Sequence, residues 1–194
     1  MPILFALPSP LPSLTPTPTP KSQLLYLIAD QHRGLATQRN PHHRSLIIDS
    51  IHALSELGKG TVTTGDESLS GTWRMLWTTE KEQLYVIRNG PVFGAEAGDV
   101  LQVIDVKGRR LRNVITFPPH GAFVVGSEIE VVSDQRVNFR FMSAVLHGKG
   151  WRIPLPPFGQ GWFESVYLDD DIRVAKDIRG DYLVVDRAPY EWKE

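Results

Sequence analysis

The sequence predicts a mainly β fold, an antiparallel β-barrel preceded by two α-helices. Three observations predict it. Apolar residues recur at helical spacing between residues 22 and 58. From Leu69 onward the hydrophobic period becomes two, over about nine short segments separated by turn residues. Residues 69–194 also hold all five tryptophans and 16 of the 18 aromatic side chains, a payload suited to one core.

The first 21 residues stand apart. Seven of the 15 prolines fall within residues 1–20, and the run Pro16-Thr17-Pro18-Thr19-Pro20 lacks the amide donors a central strand needs. Residues 1–48 contain one acid, Asp30, against Lys21, Arg33, Arg39 and Arg44, so this part is +3 and the remainder −4. A Ser/Thr/Pro-rich, acid-poor beginning is expected of an organelle transit peptide, although such peptides usually carry arginine earlier than Arg33. A disordered leader without an address is the alternative. The expected organisation is a leader over 1–21, a helical pair over 22–58 and a barrel over 69–194, with helices and barrel forming one domain.

In the first helix Ser22 is the expected cap, Leu24, Leu25, Leu27 and Ile28 supply the apolar face, and Gly34 is the stop. Asn40-Pro41 is a cap followed by a first-turn proline. Ile47, Ile51 and Leu54 then share one face, and Gly58 ends the pattern.

Among the strands, Trp73, Met75 and Trp77 alternate with Arg74, Leu76 and Thr78. Val100, Gln102 and Ile104 form one face of the next segment, and Asn113, Ile115 and Phe117 one face of the third. Further strands are expected over 123–125, 128–132, 136–145, 162–168, 172–175 and 182–187. In the segment over 136–145 Phe139 and Phe141 share a face with Val137. Pro154-Leu155-Pro156-Pro157-Phe158-Gly159 is expected to be a buried barrel-closing turn, with a proline-rich recognition segment as the other reading.

A closed sheet of about eight strands is either filled by side chains or wide enough for one small ligand. If it holds a ligand, its wall is Trp73, Met75, Trp77, Val100, Gln102, Ile104, Asn113, Ile115, Phe117, Phe139, Phe141 and Trp162. Gln102 and Asn113 are the polar members of otherwise apolar faces, an arrangement found in small-molecule sites and also in cores with satisfied amides. Gly71-Thr72-Trp73 is the G-x-W that opens lipocalin-like barrels. In that group an arginine from a late strand covers the tryptophan; Arg173 is the first candidate for this structural closure and Arg187 the second.

Composition and motifs exclude several classes. Near-balanced charge, 21 basic against 22 acidic residues, argues against a protein built to grip nucleic acid. The absence of cysteine removes disulfides, thiolate metal sites and cysteine nucleophiles. The longest apolar run, 24–29, is far too short for a membrane-spanning helix. Gly58-Lys59-Gly60-Thr61 fails as a phosphate loop, because Ser or Thr does not follow the lysine directly. Asp169-Asp170-Asp171 reads as a hairpin turn rather than a metal site, and the histidines form no ligand or base constellation. No catalytic residue, metal site or cofactor is expected, and the protein is not expected to be an enzyme.

Longer blocks carry a resemblance. Leu69-Ser70-Gly71-Thr72-Trp73 with Trp77-Thr78-Thr79, Asn113-Val114-Ile115-Thr116-Phe117-Pro118, Gly161-Trp162 and Leu183-Val184-Val185-Asp186-Arg187 resemble strands of the plastid-lipid-associated proteins, also called plastid fibrillins. Thr79-Glu80-Lys81-Glu82-Gln83, Gly98-Asp99-Val100-Leu101-Gln102 and Leu155-Pro156-Pro157-Phe158-Gly159-Gln160-Gly161-Trp162 are most similar to the subgroup that assists plastoquinone biosynthesis. The resemblance implies a lipocalin-like, non-enzymatic protein of the plastid stroma, peripheral to plastoglobules or the thylakoid surface. It implies binding of a long-chain isoprenoid, the solanesyl chain, or another lipid, with solanesyl diphosphate synthase as partner. A structural coat of lipid bodies, lacking a saturable pocket, is the alternative.

Overall fold

The computed structural model describes residues 18–90 and 96–193. Most of the expected leader, residues 1–17, lies outside them. Helix α1 spans Pro20–Ile28 and starts earlier than expected: Thr19, not Ser22, is the cap, and its hydroxyl accepts from the Ser22 amide at 3.2 Å. Pro20 occupies the first turn, where its missing N–H has no partner to lose. Lys21 then bonds Asp169 and Asp171 at 2.7 Å each, tying the start of α1 to a distant turn.

Helix α2 spans Pro41–Leu57 with the expected ends. Asn40 Oδ1 accepts from the His43 amide at 3.0 Å, and Gly58 follows the last turn. A Cβ at Gly58 would lie 2.3 Å from the Val166 carbonyl, so only glycine lets this helix end meet the sheet so closely. Ile47, Ser50, Ile51 and Leu54 are buried at i, i+3, i+4 and i+7, the face of an amphipathic helix.

Nine antiparallel strands form one sheet: β1 Gly71–Thr78, β2 Val100–Asp105, β3 Arg110–Phe117, β4 Gly121–Val131, β5 Arg136–Gly148, β6 Trp151–Leu155, β7 Gln160–Leu168, β8 Ile172–Asp177 and β9 Tyr182–Arg187. Two further short helices flank β1, α3 Asp66–Leu69 before it and α4 Lys81–Arg88 after it, and a 3-10 turn over Thr37–Arg39 lies between α1 and α2. Pairing runs β1–β2–β3–β4–β5–β7–β8–β9, and β9 pairs again with β1. The early half of β5 carries β7, while its late half carries β6, which pairs with no other described strand.

Two expectations change. The segments over 123–125 and 128–132 are one strand, β4; the register shift opposite Gly126/Ser127 places its extra residue, Met142, on β5, so β4 runs through without a break. The proline-rich segment is not buried: β6 is exposed along its length, and Phe158 is 80 % exposed.

The sheet separates two apolar layers. Trp73, Met75, Val100, Ile104, Leu111, Ile115, Phe117, Phe163, Leu183 and Val185 share the inner cluster. On the opposite face Leu24 and Ile28 of α1 and Ile47, Ile51 and Leu54 of α2 pack on Trp77, Val174, Tyr182 and Val184. Each fully buried aliphatic side chain in such a layer contributes about 1.5–3 kcal/mol. Two hydrogen bonds fix the helical layer: Trp77 Nε1 donates to Thr37 Oγ1 at 3.2 Å, and His43 Nε2 lies 2.8 Å from the Leu27 carbonyl.

Candidate functional site: an apolar cavity with a polar end

The inner face lines a partly open cavity of ≈ 430 Å³. Seven of the residues expected on the wall line it: Met75, Val100, Gln102, Asn113, Ile115, Phe139 and Phe141. Phe123, Val125, Phe163, Ala175, Leu183 and Val185 join them. Phe139 and Phe141 stack with centroids 5.3 Å apart, as two neighbours on one face of a strand do. Gly159 makes room for Phe141: at φ +128 it is in backbone that favours glycine, and a Cβ there would lie 3.0 Å from the ring.

The other expected wall residues are elsewhere. Trp73, Ile104 and Phe117 belong to the packed inner cluster but not to the cavity lining. Trp162 alternates with the cavity-lining Phe163 and stacks under Arg136, whose guanidinium carbon is 4.1 Å from the ring centre. Trp77 is on the helical side. A bulge between Met75 and Trp77 sets two β1 residues against one on β9, so Met75 pairs with Val185 and Trp77 with Val184. That extra residue reverses the alternation, and Trp77 turns from the inner face to the outer one.

The polar end of the cavity is a relay of three side chains. Arg173 has no exposed surface and donates through Nη2 to Gln102 Oε1. Gln102 Nε2 donates to Asn113 Oδ1 at 2.9 Å. The Arg173 guanidinium sits between aromatic rings, 5.5 Å from the Trp73 centroid and 5.3 Å from that of Phe163. Burial, with a smaller effect from the charge of Arg187, pushes its pKa down to about 9, which leaves it a cation at neutral pH.

Both candidate arginines therefore address Trp73, but Arg187 is the nearer, 4.2 Å from the ring centre. The register explains this, because Trp73 and Arg187 are direct partners across β1 and β9. Arg187 is further held by the carbonyls of Ser68 at 2.7 Å, Ser70 at 3.1 Å and Asp170 at 3.2 Å. The Trp73 indole N–H donates to the Leu69 carbonyl at 2.8 Å.

Helix α4, its cap Glu80 and the β8–β9 turn bring Glu80, Glu82, Asp177, Arg179 and Asp181, with the amide of Gln83, to the lining. Arg179 reaches Glu82 at 2.7 Å and Asp177 at 3.1 Å. Burial pushes the Glu80 carboxyl up to about 7; Gln83 opposes this by hydrogen bonding at 2.7 Å, and Asp177 and Asp181 add to it. No element is expected from the sequence over 81–88, and no role for these residues. The available signal was Leu84 with Ile87 and Arg88 at helical spacing, too short a pattern to separate from a loop.

No group of three or more potential metal ligands occurs among the described residues. No helix among them is long and apolar enough to cross a membrane.

The family model described as PAP_fibrillin matches residues 19–186. The chain is 61 % identical over 179 residues to the Arabidopsis thaliana protein named "Probable plastid-lipid-associated protein 11, chloroplastic", covering 92 % of this chain and 84 % of that protein. It is 23 % identical over 195 aligned positions to plastid-lipid-associated protein 6, chloroplastic, of the same plant, covering 84 % of this chain and 68 % of that one. No solved structure matches the chain significantly. The family match runs from just before α1 to the penultimate residue of β9 and takes in the whole cavity lining, so the chain belongs to the PAP_fibrillin family of plastid-lipid-associated proteins and is a protein of the plastid.

Proposed function

We propose that this protein binds a hydrophobic isoprenoid, the solanesyl chain, in the plastid without catalysing a reaction, and so assists solanesyl diphosphate synthase in plastoquinone biosynthesis. In this reading the eight-strand cycle is a lipocalin-like barrel and its cavity is the guest's seat. The observation that carries the reading is the cavity itself, ≈ 430 Å³ with an apolar wall between the Gln102–Asn113 pair and the charged groups beside α4, within the range of roughly 300–1,000 Å³ of small-molecule sites. It accepts one end of a long polyprenyl chain and leaves the remainder near α4. The physical benefit is plain: a chain released into water loses about 0.8 kcal/mol for each CH₂ it exposes, so release from a synthase is slow unless another apolar surface receives it.

The test is titration of the folded protein with solanesyl diphosphate, alongside synthase turnover with and without it. Saturable binding with faster turnover is expected. A folded sample giving neither binding nor stimulation overturns the reading.

One observation favours a second reading, a coat protein on lipid bodies. Trp151, Ile153 and Leu155 share one face of β6 and are 48 %, 49 % and 40 % exposed. An apolar stripe on an edge strand is suited to a lipid surface. A coat protein co-floats with lipid bodies, shows no saturable stoichiometry and leaves the synthase unaffected.

A further inference from the structure

One buried cation fixes which way every amide of the polar relay points. Arg173 has no carboxylate partner among the described residues, and its Nε and Nη1 are buried with no hydrogen-bond partner. A guanidinium has five N–H donors and no acceptor. Gln102 must therefore turn its oxygen to Arg173, and its nitrogen then faces Asn113. Asn113 must answer with Oδ1. Its Nδ2 is left over, on the cavity wall, with no acceptor among the described residues. Met75, Val100, Ile115 and Phe123, which share that wall, carry no side-chain oxygen. The relay ends in a donor, and the positive charge behind it polarises the bonds in the same direction.

The position of this donor sets an orientation. Asn113 pairs with Gln102, which pairs with Trp73 near the start of β1, whereas α4 follows the other end of that strand. We propose, resting on the reading that the cavity holds an apolar guest, that the guest lies with its polar end at Asn113 and its tail toward α4. That polar end bears an acceptor oxygen without a donor proton, as in a carbonyl or a carboxylate. A cationic amine is rejected at this end, because it meets a donor and a buried like charge; Glu82 and Asp177 offer it a place near α4 instead.

The test is displacement of the neutral dye Nile red from the full chain by tridecane, methyl undecyl ketone, tridecanoate and tridecylamine. The ketone is expected to bind tighter than tridecane by about fivefold, the worth of one net hydrogen bond. The amine is expected to bind more weakly than the ketone. Tridecanoate separates the two oxygen sources: above the ketone, the buried charge selects an acid; below it, the negative groups beside α4 select a neutral carbonyl. N113L is expected to bring the ketone down to the alkane, and N113D, which keeps the size but presents oxygen, to bring it lower still. Thermal melts show that the variants fold, and N113D carries the test if N113L does not. Ketone and alkane binding alike in the wild type, or an advantage that survives in N113L, overturns the proposal. Nile red failing to bind overturns the cavity reading and this proposal with it, whereas dye binding without head-group preference overturns only the proposal.

Discussion

The guanidinium of Arg187 lies 4.2 Å from the centre of the Trp73 indole and is pinned there by three backbone carbonyls. A partly desolvated cation–π contact contributes about 0.5–2 kcal/mol, and a hydrogen bond from a charged donor about 1.5–3 kcal/mol. We expect Arg187→Leu to lower unfolding free energy by about 2–4 kcal/mol in a urea titration. A change below about 0.5 kcal/mol would show that Arg187 does not close this end of the sheet.

Arg173 should behave in the opposite way. Its charge is buried with one hydrogen bond and no carboxylate among the described residues, an arrangement that stabilises a fold little. Replacing it alone orphans the Gln102 oxygen, but the double variant R173M/Q102L removes charge and acceptor together and leaves only the partly buried Asn113 amide of the relay. We expect that double variant to match or exceed wild-type stability in chemical denaturation. A loss of more than about 2 kcal/mol would mean that the relay serves folding.

Glu80 gives the stability a pH dependence. Its folded pKa is raised from 4.5 to about 7, chiefly by burial, so between those values the folded state holds a proton that the unfolded state has released. Its contribution is fully present below the unfolded value and is lost as pH rises through about 7. Wild type should therefore lose up to a few kcal/mol over that window, and Glu80→Gln should flatten the slope. Melting curves of both proteins from pH 4.5 to 8 check this; parallel profiles would rule out the assignment.

Phe141 separates binding from packing. It is half-buried, lines the cavity and stacks on Phe139. Phe141→Glu should lower affinity for an apolar guest at least about tenfold, because a carboxylate in that wall loses its hydration. An affinity loss with the melting temperature kept within a few degrees assigns Phe141 to the site. Unchanged affinity would remove it.

Much of the fold was legible because its signals are local. Asn40-Pro41 and Gly58 delimit α2 as written, and period-two alternation marks the strands that build the inner face. Gln102 and Asn113 stood out as polar residues on apolar faces, and they meet in the relay. The rest depended on register. Trp77 follows the alternation of Trp73 and Met75 in sequence, yet the bulge reverses it, and a bulge exists only once β9 is paired. No strand is expected over 151–155 and a buried turn is expected over 154–159; β6 lies there instead, and its exposure follows from having β5 as its single described neighbour. The sequence ranks Arg173 ahead of Arg187 as the cover of Trp73; the pairing of β1 with β9 reverses that order, setting Arg187 over the ring while Arg173 reaches across to Gln102.

Strand β9 is a party wall one side chain thick. Leu183 and Val185 face the cavity, and Val184 between them rests against the helical layer with Trp77. A bulky visitor that bows this strand outward presses directly on α1 and α2, and loosening those helices takes away the backing of the chamber. On the proposed reading, guest and helical layer press on opposite sides of the same strand.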